Sequence, residues 1–114
     1  DFFFDFEETE WNIRMRRNNY SIAYNPKMKA WHRLHGSTDG HRFNSLSEYN
    51  HYRGKILFNY KTLESNHFLK FIFHYLIFEL PRRCMVLIKN KHTALVFSHF
   101  QGVLSGFKRL IQLQ

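Results

Sequence analysis

Cysteine is nearly absent from this sequence: Cys84 stands alone, so no internal disulfide is possible and a reducing compartment suits the chain. Long uncharged apolar runs are missing too. A transmembrane helix needs about 18 or more nearly uncharged residues; the best run here, Phe68 to Leu80, is shorter and carries Lys70, His74 and Glu79. That excludes a membrane span. No nucleophile elbow, phosphate-cradling glycine loop, dinucleotide fingerprint or H-E-x-x-H pair occurs, which removes the motif-bearing hydrolases, nucleotide binders and zinc proteases. Acidic residues are scarce after the start: five of the nine (Asp1, Asp5, Glu7, Glu8, Glu10) fall in the first ten positions. From Trp11 onward 17 Lys and Arg face only four acids, a balance that attracts nucleic acid or anionic lipid surfaces.

What is present bounds the class. A chain of 114 residues makes one domain or less, and 44% hydrophobic with 18% aromatic residues is too apolar for a disordered tail. The thirteen phenylalanines fit a large aromatic core, a partner interface, or the codon bias of an AT-rich genome. Residues 1–10 form an acidic-aromatic arm that is expected to dock on a protein partner, with folding back onto the chain's own basic surface as the alternative. Residues 11–114 form a single basic domain.

Trp11, Ile13 and Met15 alternate with Asn12, Arg14 and Arg16, and Tyr20, Ile22 and Tyr24 repeat that period. With Arg17-Asn18-Asn19 as turn residues, this predicts an N-terminal β-hairpin that Asn25-Pro26 ends. Lys27 to Leu34 is a candidate third strand, and Asp39-Gly40 marks a turn. Ser45 and Glu48 have capping-box spacing, which predicts a short helix over 46–53 that stops at Gly54. Lys55 to Lys61 alternates as a strand. A long buried helix is expected from Thr62 or Ser65 to about Glu79, apolar on most of its circumference and terminated by Pro81. Cys84 to Ile88, Thr93 to Ser98 and Phe107 to Leu113 read as short strands, with Gly102 and Gly106 punctuating a loop. The expected fold is therefore α+β: a small mixed or antiparallel sheet with an N-terminal hairpin, one long buried helix and one short helix.

The basic clusters come first among candidate sites. Arg14, Arg16 and Arg17, then Arg82 and Arg83, Lys89 and Lys91, and Lys108 and Arg109 fall at expected loops or strand ends, where cationic side chains reach phosphates. Several of them are expected only to solvate the surface. Tyr20, Tyr24, Trp31 and Tyr52 are candidate platforms for unpaired bases, although aromatics on alternating strands mostly serve cores. His32, His35 and His41 offer a metal-like spacing, yet no second Cys completes a site and no metal or cofactor is expected. His41, Glu48, His51, Tyr52 and Arg53 would supply the acid, base and phosphate clamp of a small metal-independent, RNA-cleaving toxin-like domain. Cys84 reads as a small core residue rather than a nucleophile.

Lys55 to Ile72 (KILFNYKTLESNHFLKFI) resembles the opening strand and first helix of the NusE-type ribosomal proteins of the small-subunit head. Leu80-Pro81-Arg82-Arg83 followed by Met85-Val86-Leu87, then Lys89 to His92, Ser98-His99-Phe100-Gln101 and Lys108-Arg109-Leu110-Ile111, stand in the order of that family's motifs. The resemblance covers about residues 55–113. It implies a structural protein of a large ribonucleoprotein, with Arg82, Arg83, Lys89, Lys91 and His92 near ribosomal RNA. It further implies neighbouring ribosomal proteins against the Phe-rich helix and the acidic arm. The chain opens at Asp1, which trimming of an imported organellar precursor would explain, as would an arbitrary boundary; a mitochondrial ribosome in the matrix is the expected setting. No catalysis is expected. The alternatives are the toxin-like domain and an accessory subunit of a mitochondrial respiratory complex.

Overall fold

The computed structural model describes residues 2, 5–31 and 44–113, and all of their regular structure is helical. Five α-helices follow one another: α1 (Glu7–Arg17), α2 (Ser45–Thr62), α3 (Ser65–His74), α4 (Leu80–Lys89) and α5 (Thr93–Gln112), with a π-turn (Tyr75–Glu79) joining α3 to α4. The expected α+β sheet is overturned: among the described residues there is no strand.

Each misread element has a local reason. The expected hairpin arm Trp11–Arg16 lies inside α1, where Glu7, Glu8 and Glu10 occupy the first turn and Arg14, Arg16 and Arg17 the last. That order complements the helix dipole, and Glu10 reaches Arg14 at 3.4 Å one turn on. Asn19 does take positive φ (64°), but just past the helix end rather than in a hairpin. Tyr20 to Trp31 has no regular structure apart from a turn at Pro26-Lys27. The remainder of the expected third strand and the Asp39-Gly40 turn lie outside the described residues.

The expected stop at Gly54 fails because α2 continues through it to Thr62, absorbing the supposed strand 55–61. Tyr49, Tyr52, Ile56 and Tyr60 recur at steps of three and four, the helical period that the shorter alternation of Ile56, Phe58 and Tyr60 concealed. Asn44, rather than Ser45, caps α2: its side chain accepts the Leu46 amide at 2.7 Å. Pro81 does not terminate the long helix. It stands in the first turn of α4, where a missing N–H costs little. The supposed strands 84–88, 93–98 and 107–113 fall almost wholly within α4 and α5, only Leu113 lying just past the latter's end.

Packing centres on α2 against α5. Leu95, Ser98, His99, Gly102, Val103, Gly106 and Leu110 form the buried stripe of α5, a regular three-and-four spacing. A Cβ built on Gly102 would lie 2.3 Å from the Tyr49 carbonyl oxygen, and one on Gly106 would lie 2.9 Å from the Ile56 Cβ. At these two glycines the helices therefore meet backbone to backbone, and neither punctuates a loop. Ile56, Leu57, Tyr75, Val103 and Leu110 make the core, with Phe68, Phe71, Ile72 and Phe107 packed around it.

The N-terminal arm folds back on its own domain. Phe6 stacks on Phe58 at 5.2 Å, Asp5 bonds the His51 ring at 2.7 Å, and Lys61 sits over the Phe2 ring.

Candidate functional site

A polar network lies inside the bundle, where α2, the π-turn, α4 and α5 meet. Glu48, 6% exposed, receives Arg83 through both ends of its carboxylate, Nε to Oε1 at 3.0 Å and Nη2 to Oε2 at 2.5 Å. This is the two-pronged geometry that makes guanidinium–carboxylate pairs strong. His99, fully buried, places Nδ1 3.1 Å from the same carboxylate and Nε2 2.6 Å from the Tyr75 hydroxyl. A carboxylate only accepts, so Nδ1 carries the proton, and in the neutral ring Nε2 accepts from Tyr75. Burial pushes the Glu48 carboxyl up, but hydrogen bonds from His99 and Arg83 and the charge of Arg83 outweigh it and hold the group down at about 2. Burial pushes the Tyr52 hydroxyl up to about 12 and the Tyr75 hydroxyl higher still. The Tyr52 ring lies 3.7 Å from His99. Beside them Lys55 pairs with Glu79.

Satisfied and shut away, this network is a structural tie among four elements. Of the residues expected in a toxin-like site, Glu48 is held by Arg83 and His99, Tyr52 lies against His99, and His51 is turned to Asp5. His41, like the His32 and His35 pair, lies outside the described residues. Among the described residues no His, Cys, Asp and Glu gather as metal ligands. Cys84 is half-buried on α4, and burial pushes its thiol up, away from the reactive thiolate.

The nine Lys and Arg candidates and His92 divide. Arg14 is engaged by Glu10. Arg17 donates to the carbonyls of Lys61 (3.1 Å) and Thr62 (2.6 Å), closing the C-terminus of α2. Arg83 belongs to the buried tie, and Arg109 bonds Gln112 at 3.1 Å. His92 is half-buried at the start of α5. Arg16, Arg82, Lys89, Lys91 and Lys108 are exposed, on the last turn of α1, both ends of α4, the link to α5, and α5 itself. Of the stacking candidates, Tyr20, Tyr24 and Trp31 are exposed, while Tyr52 is held in the network.

Lys70, outside every cluster singled out by motif, belongs to a second feature. The helix from α3 through the π-turn into α4 buries Phe68, Phe71, Ile72, Tyr75 and Leu87 wholly or partly, yet leaves Leu69, Phe73, Ile77, Met85 and Ile88 exposed. Its opposite side is therefore also apolar, with no described element over it. Between Asn66 and the last residue there are seven Lys and Arg but one acid, Glu79, and that acid is paired with Lys55. The signal in the sequence is a helix apolar all round with nothing acidic on its outer side. Among the described residues no helix is long and apolar enough to cross a membrane. No family model matches the chain, and neither the curated proteins nor the solved structures contain a significant match.

Proposed function

We propose that this helical domain is a docking module for a polyanionic surface, without a reaction of its own. The observation that carries the reading is the charge of the α3–α5 half: seven cations against a single, internally paired carboxylate. Arg83 turns inward to Glu48, and the positive field of the rest concentrates an anionic partner. Ribosomal RNA, which the NusE-type resemblance implies, is one polyanion of this kind, and a mitochondrial ribosome is its setting. The helical architecture removes the sheet on which that resemblance placed its strands, so the RNA proposal rests on charge and short motifs alone.

The test is binding of the whole chain to heparin and to single-stranded RNA over a salt series. The logarithm of the affinity is expected to fall linearly with the logarithm of salt. The variant Lys70→Glu/Arg82→Glu/Lys89→Glu is expected to bind at least tenfold more weakly, since each cation–phosphate pairing removed costs about 1 kcal/mol or more. Affinity that ignores salt, or a triple variant that binds as the parent does, would overturn the reading.

A further inference from the structure

Resting on that reading, we infer that the polyanion is an anionic lipid bilayer, and that the helix from α3 through the π-turn into α4 lies in its interface. Leu69, Phe73, Ile77, Pro81, Met85 and Ile88 follow at steps of four, four, four, four and three, and all are exposed. Leu69 and Phe73 are each 66% exposed, and Met85 is 63%. Ile88 lies 19 residues beyond Leu69. Five turns of α-helix take about 18. The surplus residue would rotate α4 by roughly 100° and break the stripe. The π-turn Tyr75–Glu79 takes up that residue, because its wider turn holds more of the chain. The apolar stripe therefore runs straight along one side, opposite buried Tyr75 and Leu87.

Three cations flank this stripe: Lys70 follows Leu69, Arg82 follows Pro81 and Lys89 follows Ile88, while His74, Phe78 and Val86 hold the same offset after Phe73, Ile77 and Met85. One residue of α-helix is about 100° of rotation, so the three cations form a rim beside the apolar line. The single acid, Glu79, turns inward to Lys55. Long cationic side chains at such a rim reach the headgroup level while the apolar line sinks below it. RNA phosphates would use the rim but leave the exposed Leu, Phe, Ile and Met in water. A bilayer with anionic headgroups satisfies both. Since no described helix can cross the bilayer, the helix lies flat on it.

The experiment is co-sedimentation of the whole chain with phosphatidylcholine vesicles, with and without phosphatidylserine, beside single-stranded RNA and heparin. Binding is expected to require phosphatidylserine. Phe73→Ser/Met85→Ser is expected to weaken it at least about tenfold, while Leu46→Ser, an exposed apolar position on α2, leaves it unchanged. Far-UV circular dichroism checks that each variant is folded. As a second readout, Phe73→Trp emission, in a Trp11→Phe/Trp31→Phe background that leaves it the sole tryptophan, should shift to shorter wavelength on these vesicles and be quenched by brominated lipid. RNA or heparin binding without vesicle binding overturns the bilayer and leaves the polyanion reading standing; binding to none of them ends both. Vesicle binding that Leu46→Ser reduces as much as the stripe variant, or Phe73→Trp emission that does not move, overturns the stripe as the lipid-facing surface. So does a stripe-dependent dimer, seen by light scattering, that ignores vesicles.

Discussion

Glu48→Ala is expected to cost the fold about 3–5 kcal/mol, because it leaves the Arg83 guanidinium and the His99 ring without their shared acceptor. For a domain of this size that lowers the melting temperature by roughly 15 °C or more. Glu48→Gln keeps the volume and part of the hydrogen bonding and should lose less. The pH dependence distinguishes them. The Glu48 carboxyl is held at about 2 in the fold, against an unfolded reference of 4.5. A depressed carboxyl contributes stability that is fully present above its unfolded value. That contribution disappears as pH falls through the folded one. Between about pH 4.5 and 2 the parent chain should therefore lose on the order of 3 kcal/mol from this group, whereas Glu48→Gln should show a flatter acid limb. Urea melts across that window measure both slopes, and equal slopes would mean the carboxylate is not held as described.

Gly102→Ala is the second large effect. In an exposed helix, replacing Gly by Ala gains about 1 kcal/mol. Here the new methyl would sit 2.3 Å from the backbone oxygen of Tyr49, so α2 and α5 must move apart along their main interface. Overpacking of that kind costs about 1–3 kcal/mol, and more where the obstacle is backbone. A net loss of about 2 kcal/mol or more is expected. Gly106→Ala, which meets the Ile56 Cβ at 2.9 Å, should lose less. Gly54→Ala meets the movable Phe6 ring at 3.0 Å and the Asp5 carbonyl oxygen at an ordinary 3.5 Å, and should be close to neutral. The order of urea midpoints tests the series, and a Gly102→Ala chain as stable as the parent would contradict the close helix approach.

Charge, the lack of a spanning segment and the helix over 65–79 can be read directly from the residues. The helical nature of the rest cannot, because the supposed strands are short apolar runs of five to seven residues, a length at which the periods two and three-to-four are hard to separate. In Lys55 to Lys61 Ile56, Phe58 and Tyr60 alternate, yet adding Tyr49 and Tyr52 puts Ile56 and Tyr60 on one helix face and leaves Phe58 off it. Gly54, Gly102 and Gly106 look like breakers because isolated glycine disfavours helix; tertiary packing overrides propensity at each. The tie of Glu48, Arg83, His99 and Tyr75 joins residues up to 51 positions apart and leaves no local trace. What the sequence does contain is polar residues at core-period positions, Glu48 beside Tyr49 and His99 three before Gly102, which is where a buried ionic pair has to sit. The outer apolar stripe is hidden by its single irregular turn, since counting at a constant helical step sends Phe73 and Met85 to different sides.

That irregular turn makes the long outer helix a two-part gear whose halves mesh only at one tooth count. Deleting one residue between Tyr75 and Glu79 would turn everything downstream by about a quarter of a revolution. Arg83 would swing off Glu48 on the inside as Met85 left the line of Phe73 on the outside. Side chains within the turn can vary so long as Tyr75 and Glu79 keep their partners and position 77 stays apolar, but its length cannot. An insertion or deletion within these five positions is therefore expected to disturb the domain more than most exchanges of one apolar residue for another.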